Sequence, residues 1–306
     1  MEFRSYRLGD EGGILTLLST VFQEKRDLAR WRWYYQEGPA GPALIRLALH
    51  GGRVVGHRAL VPYRIWNGRE YAVACQASDA AVHPDYRGRG IFSRLTKEVL
   101  AAAKDRGWAF VFSFPNEKSL PLNRRLGWVP RQKLRKWVKP LFPSPLTRGK
   151  KGLPALKVAP GVGEEFDPLW ELYGGRGGPG LCKDARYLRW RYLAKPGPKN
   201  YTLLTWQEGG KIQAYSVLAV AGGRGHLLDF MPGSQDPLIF LRGVEKCLRQ
   251  RGVYFITLWP VPELPPTPYG LGYIPNPLRA GTLALCPLAG ELPPTWRVTA
   301  GDTDYA

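Results

Sequence analysis

The chain has 306 residues, with 44 Lys and Arg against 25 Asp and Glu and a formal net charge of +19. Hydrophobic residues at 44% and charged residues at 23% exclude a disordered chain, and the length suffices for two core-forming units. A surface this basic attracts polyanions such as nucleic acid, anionic lipid, acidic glycan or a phosphorylated cofactor.

Residues 10–22 place Ile14, Leu17, Leu18, Val21 and Phe22 at helical spacing, with Asp10 as the expected N-cap. Leu44–Leu49 and Val54–Tyr63 read as strands joined at Gly51-Gly52, and a turn at Asn67-Gly68 leads to a third strand, Tyr71–Val82. The loop His83 to Gly90 follows. The apolar stripe of 91–106 predicts an amphipathic helix ended by Gly107. Trp108–Phe114 is a buried strand candidate, and 117–126 a short helix closed by Gly127. Proline and glycine crowd Lys139 to Gly163, which predicts a linker and a boundary near 150.

Charge is uneven along the chain. Residues 1–150 hold 27 Lys and Arg against 12 Asp and Glu, so they carry most of the net charge. The stretch 118–139 contains Lys118, Arg124, Arg125, Arg131, Lys133, Arg135, Lys136 and Lys139 and no acid. A solvated face and an anion site are both compatible with such a run.

The second half repeats parts of the first. Arg32-Trp33-Tyr34-Tyr35 matches Arg189-Trp190-Arg191-Tyr192, and Gly51-Gly52-Arg53-Val54 matches Gly209-Gly210-Lys211-Ile212. Arg106-Gly107 matches Arg251-Gly252, and Leu126-Gly127-Trp128 matches Leu271-Gly272-Tyr273. The preserved order and near-constant offset imply two diverged copies of one α/β unit.

The strongest local signal is His83-Pro84-Asp85-Tyr86-Arg87-Gly88-Arg89-Gly90-Ile91-Phe92, placed between a strand and a helix. Gly88 and Gly90 allow a sharp turn and close approach of backbone to ligand. The free amides of the helix's first turn then face an anion, and Arg87 and Arg89 add charge. The arrangement suits a pyrophosphate.

These residues resemble the acyl-CoA pyrophosphate loop of the GNAT-type N-acetyltransferase superfamily, with its pattern [Q/R]-x-x-G-x-[G/A]. Arg87 fills the first place and Gly90 the fourth, while Phe92 departs from the small residue of the sixth. A second block is similar to the family's Asn, small residue, Tyr and Gly-Phe spacing, here Asn116, Ser119, Asn123 and Gly127-Trp128. Asn123 stands where the family often has a tyrosine acid and has no comparable proton to give.

The resemblance implies an α/β (α+β) fold of two GNAT-like units, each a mixed, mostly antiparallel twisted sheet flanked by helices. Residues 1–145 would be the catalytic acyl-CoA-binding unit, 146–163 a Pro/Gly-rich linker, and 164–306 a degenerate copy. In that copy Gln235 and Val261 replace Gly90 and Asn116. The implied reaction is transfer of an acetyl group from acetyl-CoA, a cosubstrate, to a primary amine by direct attack. Implied cofactor contacts are Ala80, Ala81, Val82, Arg87, Gly88, Arg89, Gly90, Ile91, Phe92, Asn116, Ser119 and Asn123.

For the base, Asp79 precedes the expected oxyanion donors on the same strand, and Asp302 and Asp304 near the C-terminus are candidate acceptor-site carboxylates, since the C-terminus enters the acceptor site in some tandem relatives. Two other readings stay open: a Fem-type aminoacyl-tRNA-dependent transferase, and a non-catalytic module binding acyl-CoA or nucleic acid. The net charge favours a neutral or anionic acceptor, such as an amino sugar, over a polycation. Cys75, Cys182, Cys247 and Cys286 are widely spaced and form no C-x-x-C pair, so no metal or disulfide framework is expected. With no signal peptide and no long apolar run, a cytoplasmic, membrane-free protein is expected.

Overall fold

Long apolar runs separated by glycine turns build one wide sheet. The computed structural model describes residues 1–117, 119–141, 153–198, 201–259, 261, 263–265 and 268–303, with the backbone alone for 277–280. β1 (Glu2–Ser5), α1 (Glu11–Phe22) and α2 (Leu28–Tyr35) lead into β2 (Leu44–His50), β3 (Arg53–Trp66) and β4 (Tyr71–Val82). α3 (Ile91–Asp105), β5 (Phe110–Ser113), α4 (Leu120–Arg125) and β6 (Val129–Pro140) complete the first half. The second half begins with β7 (Lys157–Val158), α5 (Asp167–Tyr173), β8 (Gly180–Leu181), α6 (Ala185–Leu188) and a π-helical turn, Arg189–Leu193. It continues with β9 (Tyr201–Glu208), β10 (Lys211–Ala221), β11 (Arg224–Met231), α7 (Pro237–Gln250), β12 (Phe255–Leu258) and β13 (Ile274–Pro287).

The fold is mixed α/β, as the sequence predicts. The strands run in the order β1-β2-β3-β4-β5-β13-β6-β12-β11-β10-β9-β7, with β8 beside β3. All joins are antiparallel except β4 with β5 and β11 with β12. The two halves interlock at the centre. β6 lies against β12 and β13, and β13 lies against β5, so the last strand of each half sits beside the parallel strand of the other. Leu134 of β6 is buried, while Arg131, Lys133 and Arg135, which alternate with it, are exposed. Part of the basic run is thus the solvated face of a strand. Lys139 instead pairs with the buried Glu245 at 2.7 Å.

Several boundaries differ from expectation. Asp10 does not cap α1; its carboxylate takes the Arg4 guanidinium at 2.7 and 2.8 Å and the Arg7 amide at 2.7 Å. The short helix is confined to Leu120–Arg125. Of the expected linker, 142–152 lie outside the described residues, and β7 forms just beyond them.

α3 packs its Ile91, Leu95, Val99 and Ala103 stripe on the sheet. Gly56 on β3 makes this seat: a Cβ there would lie 2.7 Å from Ile91 Cγ2 and 3.0 Å from Leu95 Cδ1. The largest core joins the halves, with Trp31, Trp33, Tyr63 and Phe112 packing with Trp190 and Trp296. Among the described residues no helix is long and apolar enough to cross a membrane.

Candidate active site

β4 departs from regular pairing at one place. Ser78 faces Ala59 and Ala81 faces His57, so Asp79 and Ala80 together stand opposite Arg58. This is a β-bulge, and Asp79 takes a φ of 42°, which residues with a Cβ rarely adopt. Neighbours hold it there. The Tyr35 hydroxyl donates to Asp79 Oδ2 at 2.7 Å, and Arg26 lies 3.6 Å from Oδ1. His57 Nδ1 donates to the Asp79 carbonyl at 2.8 Å. Burial pushes the His57 pKa down, because a charged imidazole would lose its hydration there. The ring is then neutral, with its proton on Nδ1.

Beyond the bulge two strand edges part. β4 and β5 pair at Cys75–Val111 and Gln76–Phe112 only, yet β4 continues to Val82 against β3. The β5-facing edge at Ala80, Ala81 and Val82 is therefore free of ladder bonds to β5. Of these, Ala81 is buried and Ala80 and Val82 are half-buried.

The loop after β4 is fixed by its own side chains. Arg53 donates to His83 Nε2 at 2.8 Å, and Arg89 donates to the Asp85 carbonyl at 3.2 Å while lying over the Tyr86 ring. Arg87 Nε donates to the Val82 carbonyl at 3.4 Å. Gly90 precedes α3 at φ 74°, and a Cβ there would meet open space. The helix has no side-chain N-cap, and its first backbone bond runs from the Arg94 amide to the Gly90 carbonyl. The amides of Ile91, Phe92 and Ser93 precede that bond and have no intrahelical acceptor. An open, uncapped N-terminus just after Arg87 and Arg89 fits a pyrophosphate. Phe92, the departure from the motif, has the buried Arg58 guanidinium 5.6 Å from its ring, and Trp128 lies 6.0 Å from the same group.

The second block lies where β5 ends. Asn116 Oδ1 accepts from the Ser119 amide at 2.9 Å and from its hydroxyl at 3.1 Å, which starts α4. Asn123 is buried, and its Oδ1 has no hydrogen-bond partner among the described residues. Phe114, Pro115 and Asn116 line a cleft of about 840 Å3 that extends to β11, β12 and Thr303.

The comparisons with known proteins agree with this geometry. Residues 2–131 match the sequence model of the acetyltransferase (GNAT) domain. These residues form a GNAT acetyltransferase domain. No curated protein sequence matches the chain significantly. The fold is similar to that of a probable N-acyltransferase from Enterococcus faecalis V583, with a TM-score of 0.74 and 14% identity over 94% of this chain and 72% of that one. A GCN5-related N-acetyltransferase from Anabaena variabilis has a TM-score of 0.71 at 14% identity, covering 94% and 73%. Eis1 from Mycobacterium abscessus has a TM-score of 0.66 at 17% identity, covering 94% and 74%. The GNAT fold supports acyl-CoA-dependent N-acyl transfer as the reaction class.

Outside residues 2–131, α7 begins differently from α3. Asp236 caps α7, accepting from the Leu238 amide at 2.8 Å and the Ile239 amide at 2.9 Å. A carboxylate of the chain itself fills the position that α3 leaves open. The C-terminal candidate Asp302 has partners of its own. Asp302 is buried, 2.7 Å from Lys183 Nζ, and its Oδ2 accepts from the Thr299 amide at 2.8 Å. Lys183 also pairs with Asp229, which accepts from Tyr192. Burial raises the Asp302 pKa against the pull of Lys183. Asp302 is thus joined to Lys183 and Thr299, while Asp79 is joined to Tyr35 and Arg26. Asp304 lies outside the described residues.

Sequence reasoning missed Arg26, Tyr35, His57 and Arg58. α2 buries Trp31, Trp33, Tyr34 and Tyr35 on several sides, so it shows no clean amphipathic stripe. Arg58 and His57 sit inside the apolar run of β3, where only their polarity could have marked them.

Proposed function

We propose that the chain is an N-acetyltransferase that moves the acetyl group of acetyl-CoA to a primary amine, with an amino sugar as a candidate acceptor. The observation that carries this reading is the uncapped N-terminus of α3 behind Gly88 and Gly90, next to the parted edges of β4 and β5. The amine nitrogen bonds to the thioester carbonyl carbon, the carbon–sulfur bond breaks, and CoA leaves as a thiolate. The first-turn amides of α3, with Arg87 and Arg89, hold the pyrophosphate. Amides at Ala80, Ala81 and Val82 stabilise the developing oxyanion. Asn116 and Ser119 bound the pantetheine arm. Asp79, held beside the parted edge by Tyr35, accepts the proton of the incoming ammonium. Asn123 cannot act as the thiolate's acid, so the thiolate takes its proton from solvent.

Residues 1–145 form the catalytic unit in this reading, 146–163 the connection, and 164–306 a copy that has lost its site. The Asp236 cap supports that loss, because a phosphate at α7 would meet a carboxylate. The four cysteines are free, which supports a reducing cytoplasm.

Calorimetric titration with acetyl-CoA tests the reading. The wild-type chain binds it, and Gly90→Asp does not, since its carboxylate would take the phosphate's place. Absence of binding to the wild type overturns the proposal. Asn123 favours a second reading, a module that binds acyl-CoA without turnover. Binding without acetylation of any amine would select it.

A further inference from the structure

His57 lies in the buried run of β3 with 1% of its surface exposed. Its Nδ1 donates to the Asp79 carbonyl, while its Nε2 is buried with no hydrogen-bond partner among the described residues. Burying an imidazole with one nitrogen left over is costly. The one bond it does make falls on the residue that shapes the bulge, Asp79 at φ 42°.

The direction of that bond follows from the sheet. Successive residues of a strand face opposite sides. Gly56 faces α3, since a Cβ there would lie 2.7 Å from Ile91 Cγ2. His57 faces the other side, where its ring meets the Tyr35 ring of α2 edge to face at 5.8 Å. The Asp79 carbonyl is therefore drawn towards β3 and α2. In a trans peptide the carbonyl and the following amide point in opposite directions. The Ala80 N–H of the same peptide is turned away from β3 and α2, towards the β5-facing edge and the side of the sheet that carries α3.

We propose that His57 is a positioning residue: by holding the Asp79 carbonyl, it turns the Ala80 amide into the gap between β4 and β5, where it donates to the carbonyl oxygen of a bound thioester. The role given to the amide rests on the acyltransferase reading, but the turning of the peptide does not. The uncapped N-terminus of α3 lies on the side to which that amide turns, so a cofactor seated there meets it. The ladder between β4 and β5 ends at Gln76–Phe112, so it does not reach Ala80. Tyr35 and Arg26 hold the Asp79 carboxylate separately. Loss of the imidazole thus frees the backbone of Asp79 and leaves the partners of its side chain in place.

The test separates the donor from the bulk of the ring. His57→Phe and His57→Leu remove the donor, the first at nearly unchanged size. His57→Asn restores a donor close to the position of Nδ1 at the expense of volume. The full chain is labelled with carbon-13 at Asp carbonyls and nitrogen-15 at Ala amides, so that NMR sees Asp–Ala peptides alone. The sequence has two, Asp79–Ala80 and Asp184–Ala185, and the second reports that the fold is intact. In the free chain the Asp79 carbonyl resonance should move upfield in His57→Phe and His57→Leu and return in His57→Asn, with the reference peak unmoved. Acetyl-CoA carrying carbon-13 at its thioester carbonyl is then bound and read by infrared difference spectroscopy. The wild-type chain should pull that carbonyl stretch below its value in free acetyl-CoA. His57→Phe should lose most of this shift and His57→Asn should regain it. A role in packing alone predicts the reverse order, with Phe the milder change. An Asp79 resonance that stays in place in both loss variants, or an infrared shift that survives them, overturns the inference. If the wild type does not bind acetyl-CoA while the free-chain result holds, the acyltransferase reading fails and the turning of the peptide by His57 stands.

Discussion

Trp33 and Trp190 bind each other by mirrored hydrogen bonds. The Trp33 indole donates to the Trp190 carbonyl at 2.7 Å, the Trp190 indole donates to the Trp33 carbonyl at 3.0 Å, and the rings stack 5.0 Å apart. Both are buried at the join of the two halves, one on α2 and one in the π-helical turn after α6. Truncating either leaves a cavity and removes the indole donor of one buried carbonyl, while the other hydrogen bond, which ends on a backbone oxygen, can persist. Trp33→Ala and Trp190→Ala should each cost about 3–5 kcal/mol in urea denaturation. Because the first truncation already removes the ring stack, which needs both side chains, the double variant should lose about 0.5–3 kcal/mol less than the sum. Strict additivity would mean that the two rings act independently.

These tryptophans also show what a sequence can and cannot disclose. Both stand in an Arg-Trp context, and the glycines that recur in the same order share their backbone: Gly51 and Gly209 both have φ 55°, and Gly107 and Gly252 have φ 70° and 72°. Local chemistry of that kind is written in residue type. The loop at Gly88 and Gly90 belongs to the same class, since a left-handed turn before an amphipathic helix leaves few choices of residue. The crossing of β6 and β13 into each other's half is different. It depends on which strand edges remain open after the sheet forms, and strand periodicity does not encode a partner. The cleft was equally illegible, because Arg30, Lys136, Lys195 and His226 are scattered along the chain and line it from four different segments.

The Asp236 cap predicts an asymmetry between the two helices. Asp236→Ala removes two hydrogen bonds to α7 and should cost about 1 kcal/mol of stability. Acetyl-CoA affinity should not change, because the cofactor is assigned to α3. A fall in affinity on this substitution would show that α7 takes part in binding.

Asp79 is assigned the proton, so Asp79→Asn should keep the Tyr35 contact and lose the base. A fall in kcat of about 10²-fold or more, with KM for acetyl-CoA unchanged, is expected in steady-state kinetics. A kcat within error of wild type would reduce Asp79 to a residue that shapes the bulge.

Asp302 leads to the opposite expectation. Asp302→Ala leaves Lys183 with one fewer buried partner, and breaking such a pair costs about 3–5 kcal/mol. Denaturation should report that loss, while kcat per folded molecule stays near wild type. A large fall in kcat at unchanged stability would return Asp302 to the chemistry.

Lys195 supplies a prediction in pH. Burial, with Arg191 and Arg30 nearby, lowers its pKa from 10.5 to about 7, and its Nζ lies 2.7 Å from the Tyr201 hydroxyl. Below pH 7 the amine is charged in both folded and unfolded chains, so the full cost of burying that charge is borne. Between about 7 and 10.5 the unfolded chain still holds a proton that the folded chain has released, and stability must rise with pH. Above 10.5 both are neutral and the rise ends. Lys195→Met removes this titration together with the Tyr201 hydrogen bond. The wild-type unfolding free energy minus that of the variant, measured in urea from pH 6 to pH 9, should therefore climb through pH 7 to 9. A flat difference would mean that Lys195 keeps an ordinary lysine's proton affinity and that Arg191 and Arg30 do not crowd it.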